Sequence, residues 1–321
     1  MKKRKNLPLI ITLAVTYVAV WALQATGIVN DYSFAVIVTI GINIILATSL
    51  NLVTGFTGQF SLGHAGFMSI GAYTCALITQ KNPTIPGFLL GVAAGATAAA
   101  LVGVLVGLPT LRLRGDYLAI ATLGMAEIIR VVFESLDITG GGRTLSAESL
   151  TTFPMLYWTA VLTVAVVYTF IYSRHGRAVT SIREDEVASE LSGIHITYYK
   201  VLAFAIAAGL AGIAGALYSH SNSIVPRKFD FNMSIDILIY VVLGGMGSIT
   251  GSVIAASVLS LLPELLRDFN DYRMVVYALL LIIMMVFRPG GLLGKYEFSL
   301  SRLLGLKGPR RTRKKRAKED A

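Results

Sequence analysis

Residues 154–220 read PMLYWTAVLTVAVVYTFIY (154–172), SRHGRAVTSIREDEVASELSGIHITYY (173–199) and KVLAFAIAAGLAGIAGALYSH (200–220). The two outer runs are close to the roughly 20 apolar residues that a helix needs to cross hydrocarbon. The middle is charged, short and bounded on both sides. Lipid supplies no partner for backbone N–H and C=O groups, so continuous apolar runs of this length must be helical there. Two spans joined by a polar turn make the unit of a polytopic helical membrane protein.

Working outward, the pattern repeats. Ten candidate spans lie near 8–29, 33–53, 60–80, 87–109, 117–135, 154–172, 200–220, 235–250, 252–267 and 273–288. The fold class is therefore an all-α integral membrane bundle of about ten transmembrane helices. Segment 60–80 is rich in Gly and Ser, and reads as a full span or as a broken, re-entrant one. The pair on either side of Gly251 reads as two spans or one bent unit. Residues 1–7 form a basic N-terminus, 8–294 the transmembrane domain with its loop at 173–199, and 295–321 a basic tail. The run from Leu7 to Val29 exceeds a signal-peptide core of about 7–15 residues, so it is expected to be an uncleaved first helix.

Composition agrees. Of 321 residues, 55% are hydrophobic and 14% charged, against about 25% charged in soluble domains. The net charge of +10 does not point to nucleic acid, because its placement is terminal. Lys2, Lys3, Arg4 and Lys5 open the chain, and seven Lys and Arg residues fall between Arg310 and Lys318. Basic clusters beside apolar spans suit the cytoplasmic face and its anionic lipid. With both termini cytoplasmic, twenty-one of the 28 basic residues lie inside. Lys81, Arg143, Arg227, Lys228, Arg267 and Arg273 lie outside, and Arg130 lies within a span. The lone cysteine, Cys75, rules out an intrachain disulfide and a cysteine metal site. Gly91 with Gly95, Gly103 with Gly107, and Gly247 with Gly251 form small-xxx-small pairs that let helices approach closely. TGFTGQFSLGHAG and LGGMGSITGSV share glycine spacing, as two related halves would.

Three polar stretches carry candidate function. In 173–200, Ser181 and Glu184 fit a capping box that starts a helix at Ser181. Glu184, Asp185 and Glu186 would then sit in its first turn, where negative charge suits the helix dipole. Gly193 would stop it. Ile182, Val187 and Leu191 would form an apolar docking face. The second stretch, NLVTGFTGQFSLGHAGFMSIG (51–71), sets Asn51, Thr54, Gln59, Ser61 and His64 between apolar runs. Polar groups at membrane depth face protein or a water-filled path, so these are candidate translocation-path residues. No metal site is expected, since His175, His195 and His220 are scattered from His64. The third is Glu127 and Arg130, three residues apart on one helix face. They form an intramembrane ion pair, read as a structural bridge or a functional one. Asp236 opens another span and reads as interfacial. Phosphate-loop, H-E-x-x-H and G-x-S-x-G signatures are lacking, so any ATP is hydrolysed on another polypeptide.

The stretches NLVTGFTGQFSLGHAGFMSIGAY, LRLRGDYLAIATLGMAEIIR, SIREDEVASELSGIHITYYKVLAFAIAAGLAGIAGALYSH, LIYVVLGGMGSITGS and VFRPGGLLG resemble, in order, the branched-chain amino-acid permeases of ATP-binding-cassette importers. The resemblance is to the longer of the two paired permeases. It implies a homologous second permease subunit, two cytoplasmic ATPase subunits carrying ATP and Mg, and an extracytoplasmic substrate-binding protein. No cofactor would be held by this chain. It implies that Arg183, Glu184, Asp185, Glu186 and Gly193 belong to a coupling helix seated on an ATPase. The setting would be a bacterial cytoplasmic membrane, crossed many times, with Leu, Ile or Val as cargo. TGGGRTLSA (139–147) and the basic tail depart from the shared pattern. Two rivals follow: a related importer for urea, short amides or other amino acids, and an ion-coupled secondary transporter working alone.

Overall fold

The computed structural model describes residues 31–294, apart from 114, 268–271, 289 and 293. The first expected span and both basic ends lie outside the described residues. Among these, the elements are α1 (Asp31–Asn51), α2 (His64–Lys81), α3 (Ile85–Thr110), α4 (Asp116–Ser135), α5 (Phe153–Tyr172), α6 (Arg174–Glu184), α7 (Glu186–Leu191), α8 (Ile196–Ser219), α9 (Phe231–Gly244), α10 (Ile249–Leu265) and α11 (Arg273–Phe287). No strand occurs among the described residues. A single antiparallel bridge joins Leu145 to Ile224, with both N···O distances 2.9 Å.

Tyr32–Phe56, Ile85–Thr110, Phe153–Tyr172 and Ile196–Ser219 are each long and apolar enough to cross a membrane. Ile249–Leu265 and Val275–Phe287 are shorter apolar helices. Local signals start several helices. Thr84 caps α3 by accepting from Gly87 N at 3.2 Å, with Pro86 in the first turn. Asp230 caps α9 by accepting from Met233 N, and Ser248 caps α10 by accepting from Gly251 N. Each side-chain oxygen satisfies a donor that the first turn leaves unpaired.

The core is α8 packed against α2 and α3. These helices meet through a glycine seam. A Cβ on Gly95 would lie 2.9 Å from Gly71 O, and one on Gly212 would lie 2.9 Å from Gly95 O. In lipid the hydrophobic effect gives helices no reason to associate, so close backbone packing must do it. The expected small-residue face on α3 is thus present. The Gly247–Gly251 pair is not one: Gly247 lies in the turn between α9 and α10, and Gly251 lies in the first turn of α10. The break separating these helices falls at 245–248, where Gly245 and Gly247 have φ of +107° and +89°. Only glycine enters that region without penalty.

The Gly- and Ser-rich third segment also differs from expectation. Residues 60–63 are not helical, and α2 starts at His64 and runs unbroken for 18 residues. Ahead of it, α1 widens into a π-helical turn over Leu52–Phe56, and the backbone then leaves the helix. Side chains of neighbouring helices meet the freed backbone donors. Thr122 Oγ1 accepts from Leu62 N at 3.1 Å, and Ser234 Oγ accepts from Ala65 N at 3.3 Å. Irregular backbone is tolerated at membrane depth only where protein satisfies it in this way.

Candidate functional site

The 173–199 connection folds as two helices where the sequence predicts one. Ser173 accepts from Gly176 N at 3.3 Å and starts α6 well ahead of Ser181, which lies inside that helix. Asp185 then leaves helical geometry, with φ −156° and ψ 112°, and caps α7 by accepting from Ala188 N at 3.0 Å. Glu184 therefore ends a helix instead of opening one, and the capping box is not formed. Gly193 does stop α7, at φ +81°, with Gly193 N donating to Glu190 O and Ile194 N to Ser189 O. Ser189 Oγ donates to Ser181 Oγ at 3.1 Å and ties the two helices together.

The faces of this rod diverge. Ile182 is 2% exposed, turned into the bundle with Val179. Val187 and Leu191 are 64% and 85% exposed. The expected docking face of three residues is therefore split, with Ile182 serving the core. Glu186 does not face outward alone. It is ion-paired with Lys200 Nζ at the start of α8, and the Lys200 side chain is only 8% exposed. A cation buried to that degree requires its partner.

Arg183 reaches back into the bundle. Its Nη1 donates to the carbonyl of Gly55, in the π turn that ends α1. A Cβ on Gly247 would lie 2.8 Å from the same Nη1, and a Cβ on Gly58 would lie 3.1 Å from Arg183 Cγ. The guanidinium is thus wedged between the backbones of Gly55 and Gly247, one from each glycine-rich turn, with the side-chain stem over Gly58. Asn51 joins those turns directly. Its Nδ2 donates to Ser248 O and its Oδ1 accepts from Gly247 N, each at 2.9 Å. A side chain on Gly55 would collide with the Asn51 carboxamide, which explains the glycine there. The two sequence stretches with matching glycine spacing therefore meet.

The remaining candidates are also buried. Ser49 Oγ and His64 Nε2 are 2.7 Å apart. Gly63 N donates to Ser61 Oγ at 3.5 Å. Thr57 Oγ1 donates to Gln59 Oε1 at 3.2 Å. Thr54 Oγ1 and Gln59 Nε2 are buried without a hydrogen-bond partner among the described residues. Asn51, Thr54, Gln59 and Ser61 lie at the end of α1 and on the approach to α2, and His64 opens α2. Away from this junction, Arg130 pairs with Glu127 and, at 2.8 Å, with Glu134, which Arg227 also approaches at 3.4 Å. Glu134 and Arg227 extend the expected pair into a chain of four charges; Glu134 stands four residues after Arg130, a spacing as readable as that of Glu127, whereas Arg227 meets Glu134 across 93 positions.

Known proteins resemble this chain along most of its length. Residues 32–285 match the family model described as branched-chain amino acid transport system / permease component. The high-affinity branched-chain amino acid transport system permease protein LivM of Escherichia coli is 39% identical over 290 residues, covering 78% of this chain and 68% of that protein. The permease protein LivH of the same system in Escherichia coli is 26% identical over 282 residues, covering 79% and 91%. The ribose import permease protein RbsC of Escherichia coli is 25% identical over 297 residues, covering 85% and 90%. No solved structure matches. The apolar helices, the interrupted α1–α2 junction and the family match agree: the chain is a multi-pass membrane protein and belongs to the branched-chain amino acid permease component family.

Proposed function

We propose that the chain is the membrane-spanning permease subunit of an ATP-driven importer that carries Leu, Ile or Val by alternating access. It is a transport component, not an enzyme. The observation that carries the reading is the α6–α7 rod: exposed Val187 and Leu191 on one side, and Arg183 inserted among glycine turns of the bundle on the other. Such a rod receives force at one face and delivers it at the other. The resemblance to both LivM and LivH supports a paired arrangement with a second, homologous permease. Two ATPase subunits would hold ATP and Mg and seat α7, and a substrate-binding protein would deliver cargo from outside. Both termini would be cytoplasmic in a bacterial inner membrane, the orientation that places most Lys and Arg inside.

The similarity to a ribose import permease favours one alternative, the same machine with a different cargo. The test is uptake of radiolabelled leucine by the reconstituted complex, with isoleucine, valine, ribose and urea as competitors. ATP-dependent leucine uptake blocked only by isoleucine and valine supports the reading. Uptake blocked by ribose or urea transfers the chain to the alternative.

A further inference from the structure

Asp236 is unusual for its position. It lies in the second turn of α9, within SIDILIYVVLG (234–244), where most neighbours are apolar, and it is exposed on the surface of this chain. It has no ion-pair partner among the described residues. Even on the most lenient insertion scale, a carboxylate at the centre of a membrane helix costs about 2.5–3.5 kcal/mol against lipid. Asp236 therefore faces water or protein.

What it borders is a cleft of about 170 Å³ where α1, α2, α8 and α9 meet. Ile42, Met68, Met233 and Ile237 supply its apolar wall, and Asn43 and Asp236 are among its polar groups. Apolar walls with a few placed polar groups describe a small-molecule site. Cavities of about 150 Å³ take up a benzene ring, so this one accommodates a four-carbon branched side chain. Asp236 is the only charged residue among the described residues of the lining, so the cleft favours a cation on an aliphatic frame.

Its location ties it to the coupling junction. Asp236 is eight residues before the end of α9 at Gly244, and Asn43 is eight before the end of α1 at Asn51. Each step is about 12 Å of helix. Two of the four helices that wall the cleft, α1 and α9, are thus the ones whose ends Asn51 clasps and Arg183 wedges. These two helices are a direct mechanical connection between the junction and the cleft.

We propose that this cleft is a station on the translocation path at which Asp236 meets the ammonium group of an aliphatic amino acid while its side chain lies on the Ile42–Met68–Met233–Ile237 wall. This rests on the importer reading above. The test uses the full reconstituted complex. Asp236→Asn is nearly isosteric and removes the charge, and Asp236→Glu keeps it. The inference expects Asp236→Asn to lower leucine uptake about tenfold or more, with assembly and the ATPase response to loaded binding protein retained, and Asp236→Glu to recover much of the loss. A second measurement does not depend on transport. The single native cysteine, Cys75, is buried, so an Asp236→Cys variant reports its own modification by a cationic thiol reagent. Millimolar leucine should slow that modification. Wild-type uptake by Asp236→Asn, equal failure of Asp236→Asn and Asp236→Glu, or labelling indifferent to leucine overturns the inference. A wild-type complex that takes up no leucine with ATP overturns the importer reading instead.

Discussion

Replacing Arg183 with Ala should uncouple the machine without dismantling it. The change removes a charged donor from the Gly55 carbonyl and the side-chain stem lying over Gly58. A hydrogen bond from a charged group to a partly buried acceptor is worth about 1.5–3 kcal/mol net. At 1.4 kcal/mol per factor of ten, that corresponds to about a 10–150-fold weaker link between α6 and the end of α1. Val187 and Leu191, on the far face of the rod, are untouched, so ATPase binding should persist. The assay is simultaneous ATP hydrolysis and leucine uptake in proteoliposomes containing the whole complex. Arg183→Ala should hydrolyse ATP but import at least about tenfold less leucine per ATP. Arg183→Lys, which keeps one charged donor but not the planar fork, should fall between. An unchanged ratio of leucine to ATP would refute the wedge as a force-bearing contact. So would loss of the ATPases from purified Arg183→Ala, because the residue would then act in docking or folding.

Other outcomes follow from neighbouring contacts. Glu186→Gln strands the nearly buried Lys200 and should destabilise the protein by about 3 kcal/mol, the low end for a broken buried pair because Glu186 is about a third exposed. Thermal unfolding in detergent should show that loss, and Glu186→Gln combined with Lys200→Met should recover most of it. Asn51→Ala leaves Gly247 N without its acceptor in a half-buried turn, at about 1–3 kcal/mol, and removes one donor from Ser248 O, which still accepts from Ser252 N and Ser252 Oγ; urea titration in mild detergent should register the loss. Gly71→Val overlaps the backbone of Gly212 in the α2–α8 seam. It should lower the thermal midpoint by more than a valine at Gly124, where a Cβ meets nothing within 4 Å.

The spans were legible because hydrocarbon leaves the backbone only one solution, and apolar length reports it directly. The stop at Gly193 was legible because it is local: a glycine two residues past Leu191, the last apolar residue of the helix. The start was not. Ser181 carried the local capping-box spacing, and Ser173 takes the role instead because α5 ends there and Ala178, Val179 and Ile182 are buried in the bundle. Asp185 then breaks the rod that the Ser181 box would have continued. The wedge and the clasp had no local signature, since Arg183 meets Gly55 across 128 positions and Asn51 meets Gly247 across 196. Shared glycine spacing in the two turns was the only trace. Asp236 read as interfacial from its place at the start of a span. Its place beside a cleft depends on four helices that sequence periodicity cannot bring together.

The central claim is that α7 sits on a separate ATPase, and position 191 tests it most directly. Leu191 is 85% exposed at the end of α7. A photoreactive benzophenone side chain placed there, activated in intact membranes holding the whole system, should form an adduct with the ATPase subunit whose yield changes between the nucleotide-free and ATP-bound states. Adducts only with lipid or with the permease itself, in every nucleotide state, would contradict the account.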